Sequence, residues 1–161
     1  IGCIVGNKEC IDILRKENYS GGSQVQGHES LDVLRGLTYA PVALANQAKV
    51  VNELVRRLNN KEIPEVSNAY IANAQSKVLL VEFTAPIAQE ILKYTNSLGA
   101  APNPVGAESK YEIVPMFYRV SGTFKAYDPN LLKTTIRINP YRCGADTIIR
   151  ILKESISKVV K

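Results

Sequence analysis

The chain has 161 residues, 45% hydrophobic and 22% charged, with 20 Lys and Arg against 15 Asp and Glu for a net charge of +5. This is the balance of an ordinary globular protein, long enough for one well-cored domain or a small domain plus part of another. No apolar run approaches the roughly 20 residues of a membrane-spanning helix, and the basic residues are scattered along the chain with no interleaved aromatic platform, which argues against a nucleic-acid surface.

Three cysteines, Cys3, Cys10 and Cys143, are odd in number and lack CxxC spacing, so neither a disulfide framework nor a zinc site is expected. Reduced thiols fit a cytoplasmic protein. The single histidine, His28, excludes a His-rich metal centre, and no GxSxG, Walker, GxGxxG or HExxH motif is present. The chain has no initiator methionine, its only methionine being Met116; we read it as a fragment or a processed chain.

In chain order, Ile-Gly-Cys-Ile-Val-Gly at residues 1–6 reads as a short buried strand. Asn7 then caps a helix to about Lys16, with Ile11, Leu14 and Cys10 inward. The glycine-rich stretch from Asn18 to Ser30 is a break: either a plain connector or a loop bringing backbone N–H groups close to a ligand. Ser30 caps a long helical region reaching about Asn60, with Leu31, Leu34, Leu37, Leu44, Ala48, Val51, Leu54, Val55 and Leu58 at helical spacing. Pro41 inside it predicts a kink or a break.

Tyr70-Ile71 is expected as a short edge strand, and Lys77 to Thr84 as a strand buried on both faces. Pro86 and Gly99 bracket a helix whose inner stripe is Ile87, Ile91, Tyr94 and Leu98. Residues 112–127 read as strand material interrupted at Pro115 and bent at Gly122. Asp128-Pro129-Asn130 is a turn. A strand from Leu131 to Asn139 follows, with Leu132, Thr134, Ile136 and Ile138 on one face, and Pro140 ends it. Gly144 and Asp146 then open a helix that buries Ile148, Ile149, Leu152, Ile156 and Val159. Arg137 is the odd member of its strand. Either it faces solvent, or its planar fork clamps a carboxylate.

As a set, these elements resemble the second half of fold-type-I pyridoxal-phosphate enzymes. Gly2-Cys-Ile-Val-Gly-Asn-Lys-Glu-Cys-Ile-Asp is similar to the strand and helix that follow the cofactor lysine there. A closer resemblance is to the methionine γ-lyase-like "aluminium resistance" carbon–sulfur lyases. It is carried by Gly27-His28, Arg35-Gly-Leu-Thr-Tyr-Ala-Pro41, Val81-Glu-Phe-Thr-Ala-Pro86, Gly99-Ala-Ala-Pro-Asn-Pro104 and Gly122-Thr-Phe124, in order and at similar spacing. The chain departs from that group after Phe124, where Lys125-Ala-Tyr-Asp-Pro129 stands in place of an acidic Pro-Ile-Arg stretch.

The resemblance implies an α/β fold. Residues 1–60 would end an aspartate aminotransferase-like, PLP-transferase large domain and supply a long linking helix; residues 61–161 would form a small C-terminal α/β sandwich. It implies pyridoxal phosphate as cofactor, bound mainly by residues preceding Ile1, with Ser20, Gly21, Gly22 and Ser23 approaching its phosphate or the active-site mouth across a subunit boundary. It makes Arg137 the site of the substrate α-carboxylate, with Tyr141 and Arg142 behind it. The Schiff-base lysine would precede Ile1, and neither Lys8 nor Lys77 takes that role, so the chain alone holds no catalytic residue. The implied partners are a small amino acid and further copies of the chain, in a homodimer or homotetramer. Two other readings stay open: a related enzyme that modifies an aminoacyl-tRNA, and a non-catalytic ligand-binding α/β module. The enzyme readings predict an exposed apolar face along the long helix.

Overall fold

The computed structural model describes residues 4–18, 25–72, 78–101, 113–120 and 122–160. They fall into two units, Ile1–Val42 and Ala43–Lys161.

In the first unit the Asn7 side chain accepts a hydrogen bond from the Cys10 N–H and opens helix α1, Lys8–Glu17. Ile11 and Leu14 are half-buried while Cys10 is exposed. The expected strand before Asn7 does not form over the described residues 4–6: Ile4 and Val5 are exposed, at 70% and 89%, and among the described residues no strand pairs with them to complete a ladder.

Helix α2 runs from Gly27 to Asn59. Gln26, rather than Ser30, opens it. The Gln26 N–H donates to Glu29 Oε2 at 2.7 Å, and the Gln26 carbonyl accepts from the N–H groups of Glu29 and Ser30. The glutamate thus makes the backward half of a capping box. The Ser30 hydroxyl donates to the same carbonyl at 3.1 Å. Pro41 neither breaks nor ends the helix. It removes one backbone donor, and the alanine- and leucine-rich turns around it keep their helical geometry. Leu31, Leu34 and Leu37 of the expected stripe are at least half exposed, and so are Tyr39 and Val42.

The second unit is a four-stranded antiparallel sheet in the order β1-β2-β4-β3. β1 is Val66–Ile71, β2 Leu79–Phe83, β3 Met116–Arg119 and β4 Thr135–Asn139. As predicted, β2 is buried on both faces and central, and β1 lies at an edge. One sheet face presents Val66, Ala69, Leu79, Val81, Phe83, Phe117, Ile136 and Ile138. Against it sit Val50, Val51, Leu54 and Leu58 of α2, Ala88 and Ile91 of α3 (Ala88–Thr95), and Ile148, Ile149, Ile151, Leu152 and Ile156 of the last helix. Full burial of each such Leu or Ile is worth roughly 1.5–3 kcal/mol relative to exposure.

Three local expectations change. Leu131–Thr134 is a single helical turn, α5, so β4 begins at Thr135. The Asp128 side chain accepts from the Asn130 N–H at 2.8 Å, and this Asx turn winds the chain into α5 instead of extending it. Likewise Thr123–Tyr127 is a short helix, α4, and not strand. Gly122, at φ +58°, reverses the chain after β3 in a conformation that L side chains disfavour. Finally, α3 starts at Ala88, so Pro86 lies just outside it, and its buried stripe is Ala88, Ile91 and Thr95. Ile87 and Leu98 are only partly buried. Gly99, at φ +106°, stops the following 3-10 turn, Asn96–Leu98.

The last helix, α6, is Ala145–Ser157, with Gly144 as its N-cap. Asp146 does not cap it; instead it accepts from Arg57 Nη1 at 2.6 Å. Arg57, whose side chain is only 17% exposed, also makes a bidentate pair with Glu62, at 2.6 and 2.9 Å, and reaches Glu53 at 3.3 Å. Lys153 adds a contact to Glu62 at 3.2 Å. One guanidinium therefore ties the end of α2 to the turn after it and to the start of α6.

Arg57→Leu should lower the unfolding free energy by ~2 kcal/mol, since it strips charge-assisted bonds from a poorly exposed Glu62. Urea denaturation measures this, and Asp146→Ala, at a 94% exposed side chain, should cost far less. Hydrogen bonding to Arg57, helped by Lys153, holds the Glu62 carboxyl at about 2 against an ordinary 4.5. Its folded value is depressed, so its stabilisation is complete above 4.5 and is lost as pH falls towards about 2. Melting curves down that range should therefore fall less steeply for Glu62→Gln than for the unsubstituted chain.

Candidate functional site

The period of two along β4 decides where Arg137 goes. Ile136 and Ile138 point into the helix-covered core, so Arg137 must point to the opposite face. There it stands in register with Leu80 of β2 on one side and Tyr118 of β3 on the other. Tyr70 of β1 completes that row beside Leu80.

The guanidinium of Arg137 is half-buried in this row. Its carbon lies 4.6 Å from the centre of the Tyr118 ring and 5.9 Å from that of Phe124 on α4. Its Nε is buried and has no hydrogen-bond partner among the described residues. A buried N–H donor without an acceptor costs about 1–3 kcal/mol. An anionic ligand that reached the half-buried guanidinium would be stabilised by a charge-assisted pair. Tyr70 in this row and Cys143 in the turn after β4 are both perturbed by their surroundings. Burial, with the charge of Glu82, pushes the Tyr70 phenol up from its ordinary value. Burial also raises the Cys143 thiol, against opposing effects of Thr147 and Arg150, so this cysteine is a weak nucleophile.

The other residues singled out in the sequence fall elsewhere. Tyr141 is buried in the turn after β4 at φ +46°, its N–H bonded to Asn139 Oδ1 at 3.1 Å. Arg142 is exposed in the same turn. Ser20, Gly21, Gly22 and Ser23 lie outside the described residues, as does Lys77. Lys8 pairs with Asp12 on the surface of α1. Every described lysine is exposed, whereas a Schiff-base lysine needs a desolvated or electropositive setting. No group of three or more His, Cys, Asp or Glu side chains that could hold a metal occurs among the described residues. Nor is any helix among them long and apolar enough to cross a membrane.

Over residues 52–152 the chain matches the family described as YhfS-like, C-terminal domain. It belongs to that family. It is 54% identical over 159 residues to YhfS of Escherichia coli (strain K12), covering 99% of this chain and 44% of that protein. A crystal structure of YhfS from Escherichia coli, described as a pyridoxal-5'-phosphate dependent protein, superposes with a TM-score of 0.85 at 54% identity. That match covers 95% of this chain and 42% of the other. The chain thus spans less than half the length of these relatives.

Tyr118 and Phe124 were not singled out from sequence as site residues. Tyr118 gains its place only through the β3–β4 register, and Phe124 only because α4 is helical. In a continued strand, residues 122–127 would have carried Phe124 away from Arg137. Gly122→Ala should therefore strain the entry to α4, costing roughly 1–3 kcal/mol, and thermal denaturation against an exposed-site control such as Ala126→Gly would measure it.

Proposed function

We propose that this chain is the C-terminal part of a pyridoxal-phosphate-dependent enzyme acting on a small amino acid, with Arg137 receiving the substrate carboxylate. The observation that carries the reading is the Arg137 guanidinium itself: placed in a central strand, bordered by two rings, and with a buried Nε that has no acceptor among the described residues. Membership of the YhfS-like family and the pyridoxal-phosphate dependence of the YhfS structure support the cofactor. The residues present fit the carboxylate end of such a substrate. The cofactor, when bound, supplies the electron sink for breaking a bond at the amino-acid carbon. Arg137 contributes by fixing the carboxylate in one plane, so that the rest of the substrate is presented in one orientation.

On this reading residues 1–60 close the cofactor domain and 61–161 form the small domain. Ser20, Gly21, Gly22 and Ser23 approach the cofactor phosphate, and the lysine that binds the cofactor lies outside this sequence. A carbon–sulfur lyase reaction is the finer proposal, supported by the ordered motifs from Gly27-His28 to Gly122-Thr-Phe124. A homodimer or homotetramer in the cytoplasm completes it.

The test uses the full-length protein. We expect a visible absorption band from the cofactor, and after borohydride reduction a labelled lysine that is none of those in this sequence. Arg137→Leu should keep that band while weakening amino-acid binding roughly 10- to 100-fold, the range for a lost charge-assisted pair. A colourless protein with no labelled lysine would leave the non-catalytic binding module in its place.

A further inference from the structure

Two rings limit how anything can approach Arg137. Tyr118 is its direct cross-strand partner, with its ring centre 4.6 Å from the guanidinium carbon. Phe124 brings a second ring to 5.9 Å from another element, α4. Both fall within the reach of about 6 Å over which a cation is attracted to a ring face, and a guanidinium also stacks flat on such faces. A guanidinium held in this way offers a ligand its in-plane N–H edge rather than its flat side. Its Nε is buried and has no acceptor among the described residues, so what this half-buried side chain can present to a ligand is the terminal Nη end of that edge.

Resting on the carboxylate reading above, we propose that Tyr118 and Phe124 are positioning residues. They hold the Arg137 guanidinium flat so that its edge is presented to a single carboxylate, and thereby set the preference for a free acid over its uncharged amide. Their contribution is made through Arg137 and requires no bond of their own to the ligand. Phe124 sits on a five-residue helix whose other side chains are exposed, so its ring is exchangeable without disturbing the core.

The experiment measures, by calorimetry on the full-length protein with its cofactor, the binding of a panel of L-amino acids and of the corresponding amides. Phe124→Leu keeps apolar bulk and removes the ring. It should reduce the acid-over-amide preference about 3- to 30-fold, the range of a cation–ring contact between exposed and desolvated settings. Tyr118→Leu should act in the same direction. Tyr118→Phe and Phe124→Tyr keep the rings and should restore the preference, and thermal melts identify any variant that fails to fold. If no amino acid in the panel binds better than its amide, or if Arg137→Leu leaves the preference intact, the carboxylate reading falls and this inference with it. If Arg137→Leu abolishes the preference but folded Phe124→Leu and Tyr118→Leu proteins retain it in full, the carboxylate reading stands and the positioning role is overturned.

Discussion

The alternation of β4 is the constraint from which most of the second unit follows. Ile136 and Ile138 are completely buried, and a slip of one residue would exchange them with Arg137. Two hydrophobic side chains would then leave the core and a guanidinium would enter it, a change no neighbouring contact offsets. Pairing on both edges, with β2 and with β3, pins the register. The same alternation that builds the core therefore delivers a cation to the other face. Core packing and site placement are one decision here.

A second guanidinium shows what the first lacks. Arg57 is also poorly exposed, but Glu53, Glu62 and Asp146 meet its donors, so its charge is spent on holding α2 to α6. Arg137 has aromatic faces beside it and a buried N–H with no acceptor among the described residues. Both are arginines in packed surroundings. Their different neighbours are what separate a structural ion pair from a candidate binding group.

The first unit has a different character. Apolar residues of its part of α2 lie exposed, whereas the second unit, with fully buried side chains on α2, the sheet and α6, closes a core of its own. Exposed apolar side chains of this kind are a common feature of interaction surfaces, and the chain spans under half the length of its relatives.

Much of the fold was legible in the residues alone because it rests on local periodicity. The Asn7 cap, the burial of β2, the inward face of α6 from Ile148 to Ile156, the Gly99 stop and the Pro140 end of β4 all follow from neighbours a few positions apart. So does the singularity of Arg137, a charged side chain between two isoleucines. The segments that misled were those in which local pattern and actual conformation diverge. Leu131 to Thr134 alternates like a strand yet is wound by the Asp128 turn, and Thr123 to Tyr127 has strand-like composition yet is turned back at Gly122. Residues 4–6 are apolar enough for a strand but have no neighbouring strand among the described residues. Sequence by itself determined the buried faces of β2 and the last helix and which cation is out of place, because those depend on spacing along one chain. Only the tertiary structure decided what stands beside that cation, because Tyr118 reaches it through strand register and Phe124 through a helix that brings it back over the sheet.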